Sequence, residues 1–398
     1  MELIRHEVRP VEGDMVRLEG EVLFADGSRE VVWFGTEAKR AENLNLSGDP
    51  WVIALAPLAV TLGEPLKVPL PVDPELLEGL RRVGRAWRVW DKTLFPLELD
   101  VLAARETTGP RARTGSLFSG GADSWYTVLK NQAEADREWV PRLDALMLVW
   151  GADINLTRPD AFQSLRERLS RVAAELKCEL VVMTTNLRQT RWSMTDWTRH
   201  SHGCFFIALA HASGEFGRLL IPSSVTYTNG RGWGSHFATD PLLSSRGTRI
   251  VYDAAELGRI EKLELVTRSE LALENLRVCW RSGTEQNCGR CLKCFRTMIA
   301  LELYGGLARC PTFPTRRLDV EAVAHLRCGA ANEYRMVRNM AEAALARGRT
   351  DVSRALYRAH DRSARLDIME AILRRLDRLG VRGATRLLRW LETGSIRN

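Results

Sequence analysis

Five short apolar runs, GSLFS, ALMLVWG, ELVVMTT, RLLIPSS and RIVYDA, punctuate the chain between residues 115 and 254, most of them separated by helix-length amphipathic segments. Parallel neighbours need a long crossover, usually a helix, so this rhythm predicts βαβ units and a mainly parallel sheet with helices on both faces. The fold class is therefore α/β. In such sheets ligands sit beyond the carboxyl ends of the strands, and those ends are the first places to look for chemistry.

The first run hands over to a helix through SGGADS, residues 119–124. Glycines let the backbone come close to an anion, and a helix N-terminus offers unpaired amides and the positive end of a dipole. Ser119, Gly120, Gly121 and Ser124 form the expected phosphate cradle, and Asp123 supplies a carboxylate that can help organise Mg2+. The Gly-Lys-Ser/Thr ending of a Walker A loop is missing, so transfer of a γ-phosphate is not what the stretch suggests. The competing reading is a glycine-rich turn with no ligand.

Eight cysteines are present, and four of them, Cys279, Cys288, Cys291 and Cys294, follow the spacing C-x8-C-x2-C-x2-C. Four thiolates this close can close a tetrahedral Zn2+ site with no open position, which would be structural. An iron-sulfur cluster is the second reading. No apolar run approaches the length of a membrane span, and the first residues lack the apolar core of a secretory signal, so the expectation is a cytoplasmic protein with no membrane partner and with free thiols.

The flanks read differently from the centre. In 1–105, MVRLEGEVLFADGSREVVWF alternates apolar and polar residues around a hairpin signal, and VDPELLEGLRRVGRAW has helical spacing behind an acidic first turn, which predicts a β-rich N-terminal domain. The α/β domain is expected over 112–305. Residues 311–398 read as helical and carry 18 Arg, no Lys and 10 Asp or Glu, a surplus larger than the +7 of the whole chain. That surplus raises nucleic acid or an acidic protein as a partner, against a solvated, packing helix surface.

SGGADS matches the SGGxDS pyrophosphate loop of the N-type ATP pyrophosphatases. Together with the four cysteines it resembles the QueC, or 7-cyano-7-deazaguanine synthase, family over 112–305. The resemblance implies an adenine-nucleotide α-hydrolase-like core, ATP and Mg2+ as cofactors beside structural Zn2+, and adenylation of a small-molecule carboxylic acid, 7-carboxy-7-deazaguanine, followed by attack of an amine donor to give an amide and then a nitrile. It places Gly151 beside the adenine and Lys262, which opens a helix in RIVYDAAELGRIEKLELV, with Asp123 among the catalytic residues.

Two segments depart from the family, whose PGRN-like and YPDCR-like stretches are not found. TRHSHGCFFIALAHA and TYTNGRGWGSHFATDPLLSS stand in their regions. The second is polar and long for a loop, which points to a substrate loop or lid with Trp233, His236 and Asp240 as acceptor contacts, against a loop that only packs. His200, His202 and Cys204 would share a face in an extended segment and raise a second metal site, although a histidine bonded to substrate or backbone is commoner. The added flanks also resemble QueC-like proteins of anti-phage defence, of the QatC and CBASS-associated kind, in which a protein acceptor would receive the acid. A homodimer is allowed. The alternative to all of these is a nucleotide-sensing or nucleic-acid-binding protein that kept the fold without turnover.

Overall fold

The computed structural model describes residues 1–103, 111–135, 137, 140–279, 286–329 and 331–378. They fall into two compact units, Met1–Asn287 and Cys288–Asn398. The first is built on one ten-stranded, mostly parallel sheet. Its strands are β1 (Glu2–Val11), β2 (Met15–Leu23), β3 (Arg29–Glu37), β4 (Leu66–Val72), β5 (Leu99–Ala103), β6 (Thr114–Leu117), β7 (Ala145–Trp150), β8 (Glu179–Thr185), β9 (Arg218–Pro222) and β10 (Arg249–Asp253), in the order β10-β9-β6-β7-β8-β3-β2-β1-β4-β5.

The expected hairpin is there. β2 and β3 pair antiparallel around Gly27, whose φ of 81° a side chain would resist, and Asp26 Oδ1 accepts from the Ser28 amide at 2.9 Å. Val16, Leu18 and Val22 alternate inward along β2, the period that places one face on a core.

The sheet does not stop where the sequence suggests a domain boundary near residue 105. β3 pairs antiparallel with β8 through Phe34–Thr36 and Met183–Thr185, so the strands of 1–105 and those of the α/β segment share one sheet. An edge strand left open would present unpaired amides and carbonyls, and β8 covers the last part of β3, at Phe34–Thr36. Side chains add to the join: Asn186 takes the Trp33 amide at 2.9 Å and donates to Val31 O at 2.8 Å. Buried Arg40 meets Glu37, Glu179 and Glu215, and Arg113 meets the same Glu179 and Glu215. Removing one partner would strand a buried charge.

Helix α1 (Asp49–Leu62) is apolar on every side and buried on every side, as such a helix must be, and it packs against a later helix, His202–Ser213. Helix α2 (Pro74–Trp90) is capped by Asp73, which accepts from the Glu75 amide at 2.8 Å. After β6 come α3 (Ala122–Glu134), α4 (Pro159–Glu175), α5 (His202–Ser213), α6 (Arg259–Val266) and α7 (Glu270–Asn275).

Within the parallel half the order β10-β9-β6-β7-β8 runs outward from β6 in both directions. The chain moves from β6 to β7 and β8 on one side, then returns to β9 and β10 on the other. The crevice beside the carboxyl ends of β6 and β9 is thus the point where the strand order reverses, the place where open α/β sheets bind ligands.

Among its described residues the second unit is helical, with α8 (Leu292–Leu303), α9 (Val320–Ala324), α10 (Ala331–Ala346) and α11 (Thr350–Arg378); residues 379–398 of the Arg-rich stretch lie outside the described residues. It begins at Cys288, ahead of the expected 305–311 junction. Part of the arginine surplus is spent on internal pairs: Arg327 with Asp367 and Glu370, and Arg349 with Glu302 and Asp351. No helix among the described residues is long and apolar enough to cross a membrane.

Candidate functional site

The SGGADS loop lies at that reversal point. Phe118 N donates to Met147 O at 2.9 Å, which carries the sheet register to the last residue before the loop. Gly120 then takes φ 73°, and its carbonyl accepts from Arg277 N at 2.7 Å. Gly121 is the N-cap of α3 and brings no side-chain cap to this helix N-terminus, the end of a helix that favours anions. Ser124 Oγ donates to Gly121 O at 2.9 Å and is buried, while Ser119 stays exposed. Ser124 therefore shapes the turn from inside, and of the two serines Ser119 is the one open to a ligand.

Asp123 and Lys262, predicted separately, come together. The Lys262 Nζ lies 3.8 Å from the Asp123 carboxylate, and it donates to Ser223 O at 2.7 Å and Ser223 Oγ at 2.6 Å. Ser223 follows the last residue of β9, so this lysine ties the ends of β6 and β9 to α6. Burial pulls the Lys262 pKa below the ordinary lysine value, opposed by the neighbouring Asp123 charge. Arg259, on the first turn of α6, forks onto both oxygens of Asp123. The sequence reading missed Arg259 and Ser223. A cation three residues before Lys262 on one helix, and a serine at the carboxyl end of a predicted strand, were the available signals.

Gly151 follows β7, beside β6, with φ 97°; a Cβ there would stand 2.3 Å from Thr185 O. Only glycine allows that approach. On the other side of the loop, Asp253 at the end of β10 accepts from Thr127 Oγ1 at 2.9 Å and Lys130 Nζ at 2.6 Å, which fastens α3 to the sheet.

The proposed substrate residues lie in the loop between β9 and β10, and two of them are occupied with holding it. His236 Nδ1 accepts from Ala238 N at 3.1 Å, so Nε2 carries the proton to Asn229 O at 3.0 Å, and the ring packs on Trp90 at 4.9 Å. Asp240 is buried and accepts from Ser235 Oγ at 2.5 Å and His236 N at 3.0 Å. Trp233 Nε1 donates to Ser224 Oγ at 3.0 Å, and its ring is half-buried. Of the three, Trp233 alone keeps surface open to a ligand.

Burial raises the Asp240 pKa to about 7. An aspartate with a raised native pKa is protonated in the fold where the unfolded chain is ionised, so its contribution is full below about pH 4 and is lost as pH rises through 7. Asp49, raised to about 6, has the same sign, and His202 and His211, lowered to about 4, have the opposite one. Chemical denaturation of the protein and of Asp240→Asn at stepped pH isolates the Asp240 contribution: the stability of the former relative to the latter is expected to fall between pH 4 and 7 and then level off. A constant difference would contradict the assignment.

His200, His202 and Cys204 do not form a metal site. They lie on a π turn, Trp197–Ser201, running into α5 rather than on an extended segment, so residues two apart do not share a face. His200 Nε2 is 3.4 Å from Thr61 Oγ1 and His202 Nδ1 is 2.7 Å from Trp197 O.

The four predicted cysteines do converge, with all four sulfurs within 4.8 Å of one another and with Cys279, Cys291 and Cys294 buried. Cys288 and Cys294 sulfurs stand 3.8 Å apart, the edge of a tetrahedron whose metal–sulfur bonds are about 2.3 Å. Amides donate to sulfur along the turn: Cys291 N to Cys288 Sγ and Cys294 N to Cys291 Sγ, both at 3.4 Å. Such bonds favour the thiolate form that metals require. Buried Asn287 holds the first arm of the cluster, accepting from Val278 N at 2.8 Å and Cys279 N at 3.0 Å and donating to Leu276 O at 2.9 Å. The sequence reading did not single it out. Residues 280–285 of the intervening loop lie outside the described residues.

Compared with protein-family models, with curated proteins and with solved structures, the chain matches none.

Proposed function

We propose that this chain is an ATP-dependent carbon–nitrogen ligase of the QueC type, which activates a carboxylate, 7-carboxy-7-deazaguanine, by transferring AMP to it. The observation that carries the reading is the convergence of SGGADS, Asp123, Arg259 and Lys262 at the strand reversal. A carboxylate is a poor electrophile at neutral pH. Its oxygen would bond to the α-phosphorus while the bond from that phosphorus to the bridging oxygen breaks, and pyrophosphate would leave with the electron pair. An amine nitrogen would then bond to the acyl carbon, losing a proton as AMP departs.

The residues suit these roles. Gly120 and Gly121 let the backbone approach the phosphates, and Gly151 keeps the neighbouring strand end open for the adenine. Lys262 and Arg259 would stabilise charge on departing pyrophosphate, from positions fixed before the reaction. Asp123 would hold Mg2+, which neutralises phosphate charge. The four cysteines would bind Zn2+ as a closed structural site, since all four donors are sulfur.

Mass spectrometry of a reaction holding the protein, ATP, Mg2+, the acid and ammonium tests this. AMP with an amide or nitrile is expected if ammonia is the amine. AMP with no released product points to a protein amine, as in the defence-associated resemblance. No AMP would overturn adenylation of this acid, and leave either a different acid or a nucleotide-sensing or nucleic-acid-binding protein without turnover.

A further inference from the structure

Helix α2 buries Leu76, Leu77, Leu80, Val83 and Trp87, and this spacing turns Arg81, Arg85 and Arg88 together onto its outer face. Lys92 follows just beyond the helix end. These four cations line a groove of about 490 Å3, completed by Gly84, Val89, Pro96 and Leu97. From Arg81 to Arg88 the row covers about 10 Å of helix axis. Its charge is largely unspent. Arg85 has only an exposed pair with Glu78 at 3.8 Å, and among the described residues Arg81, Arg88 and Lys92 have no carboxylate within ion-pair distance. The nearby Asp91 carboxylate is taken by Thr93 and Arg199. By contrast, Arg40 and Arg113 are fully paired in the sheet join.

A row of cations beside an apolar strip of Val89, Pro96 and Leu97 fits a single nucleic-acid strand, whose backbone takes the cations and whose bases take the strip. Arginine predominates, and its planar fork matches phosphate oxygens. The groove, at about 490 Å3, has the volume of a small-ligand cleft and seats part of a single strand. Phe95, next to the groove-lining Pro96, is 51% exposed and offers a ring on which a base can stack.

We propose that the outer face of α2 binds the sugar–phosphate backbone of single-stranded nucleic acid through Arg81, Arg85, Arg88 and Lys92. This function is independent of the ligase reading and of the Arg-rich second unit. A row of cations does not read the 2′-hydroxyl, so RNA and DNA strands are equivalent here.

Fluorescence anisotropy with labelled twelve-nucleotide rU and dT strands, a twelve-pair duplex and a twelve-residue polyglutamate peptide, at 50 to 200 mM KCl, tests it. Both strands are expected to bind, with log K falling against log salt at a slope of about −3, from four contacts at about 0.7 each. The triple variant Arg81→Glu/Arg85→Glu/Arg88→Glu is expected to weaken binding at least about tenfold and flatten the slope by about 2. Its circular dichroism should be unchanged, because the three side chains are exposed. A matching variant on α11, Arg354→Glu/Arg358→Glu/Arg365→Glu, should bind as the unaltered protein does. Tighter binding of the duplex or the acidic peptide, salt-independent binding, or full binding by the α2 variant would each overturn the proposal.

Discussion

An Asp123→Ala protein is expected to release AMP at least about a thousandfold more slowly than the unaltered chain, under ATP, Mg2+ and the acid acceptor. The carboxylate stands on the first turn of α3, where it meets both Arg259 and Lys262. Without it the proposed Mg2+ position loses its protein ligand. Lys262 also loses the one neighbour whose proximity most strongly keeps it charged against burial, so its pKa falls further and it becomes a poorer partner for pyrophosphate.

Asp123→Asn separates these effects from misfolding, since the amide keeps the size and one acceptor for Arg259 while removing the negative charge. Both variants should retain the far-ultraviolet circular dichroism of the parent and both should lose AMP release. AMP release at the parental rate from a folded Asp123→Ala protein would sink the ligase reading. The test leaves the α2 groove untouched, so strand binding should persist in both variants.

Cys291→Ser is expected to abolish stoichiometric metal binding and to lower the melting temperature by about 10 °C or more. Structural zinc contributes folding free energy directly, and even a loss of about 2 kcal/mol shifts the midpoint of a unit of this size by roughly that much. The parent protein should contain one zinc per chain by plasma mass spectrometry. Iron with sulfide and visible absorption would replace zinc by the cluster reading, and a metal-free parent that melts like the variant would remove the site altogether.

A consequence for the loop follows from the same residues. Arg277, two positions before Cys279, donates its amide to Gly120 O, and Asn287 clamps the backbone between them. Loosening the cysteine arm should therefore raise the KM for ATP as well as lower stability. An unchanged KM in the metal-free protein would break that link.

Local signals carried a good part of this structure. Alternating residues around Asp26 and Gly27 gave a hairpin, and the apolar runs gave parallel strands, because side-chain period and turn chemistry act over a few residues. The four cysteines were legible for the same reason: three of them are within seven positions, where a turn alone brings them together. Asp123 and the glycines of its loop were likewise readable as a strand-to-helix cradle. For His200, His202 and Cys204 the commoner of the two readings holds, with His202 bonded to backbone, because spacing two apart means one face only on a strand and a π turn placed them instead.

Other features depend on segments far apart in the chain. Nothing within β3 announces that β8, about 150 residues later, will pair with it and make one sheet of two expected domains. Arg259 and Ser223 become site residues only when α6 crosses over the end of β9, and Asp240 and His236 become loop supports only once burial leaves them no water to bond. The sequence by itself determined the element types, the glycine-rich strand-to-helix loop and the cysteine set, because propensity, periodicity and short spacing are local. Tertiary structure decided the continuous sheet, the reversal point that gathers Asp123, Arg259 and Lys262, and the largely unspent cations along α2, because edge pairing, burial and charge neutralisation are settled by which distant segments meet.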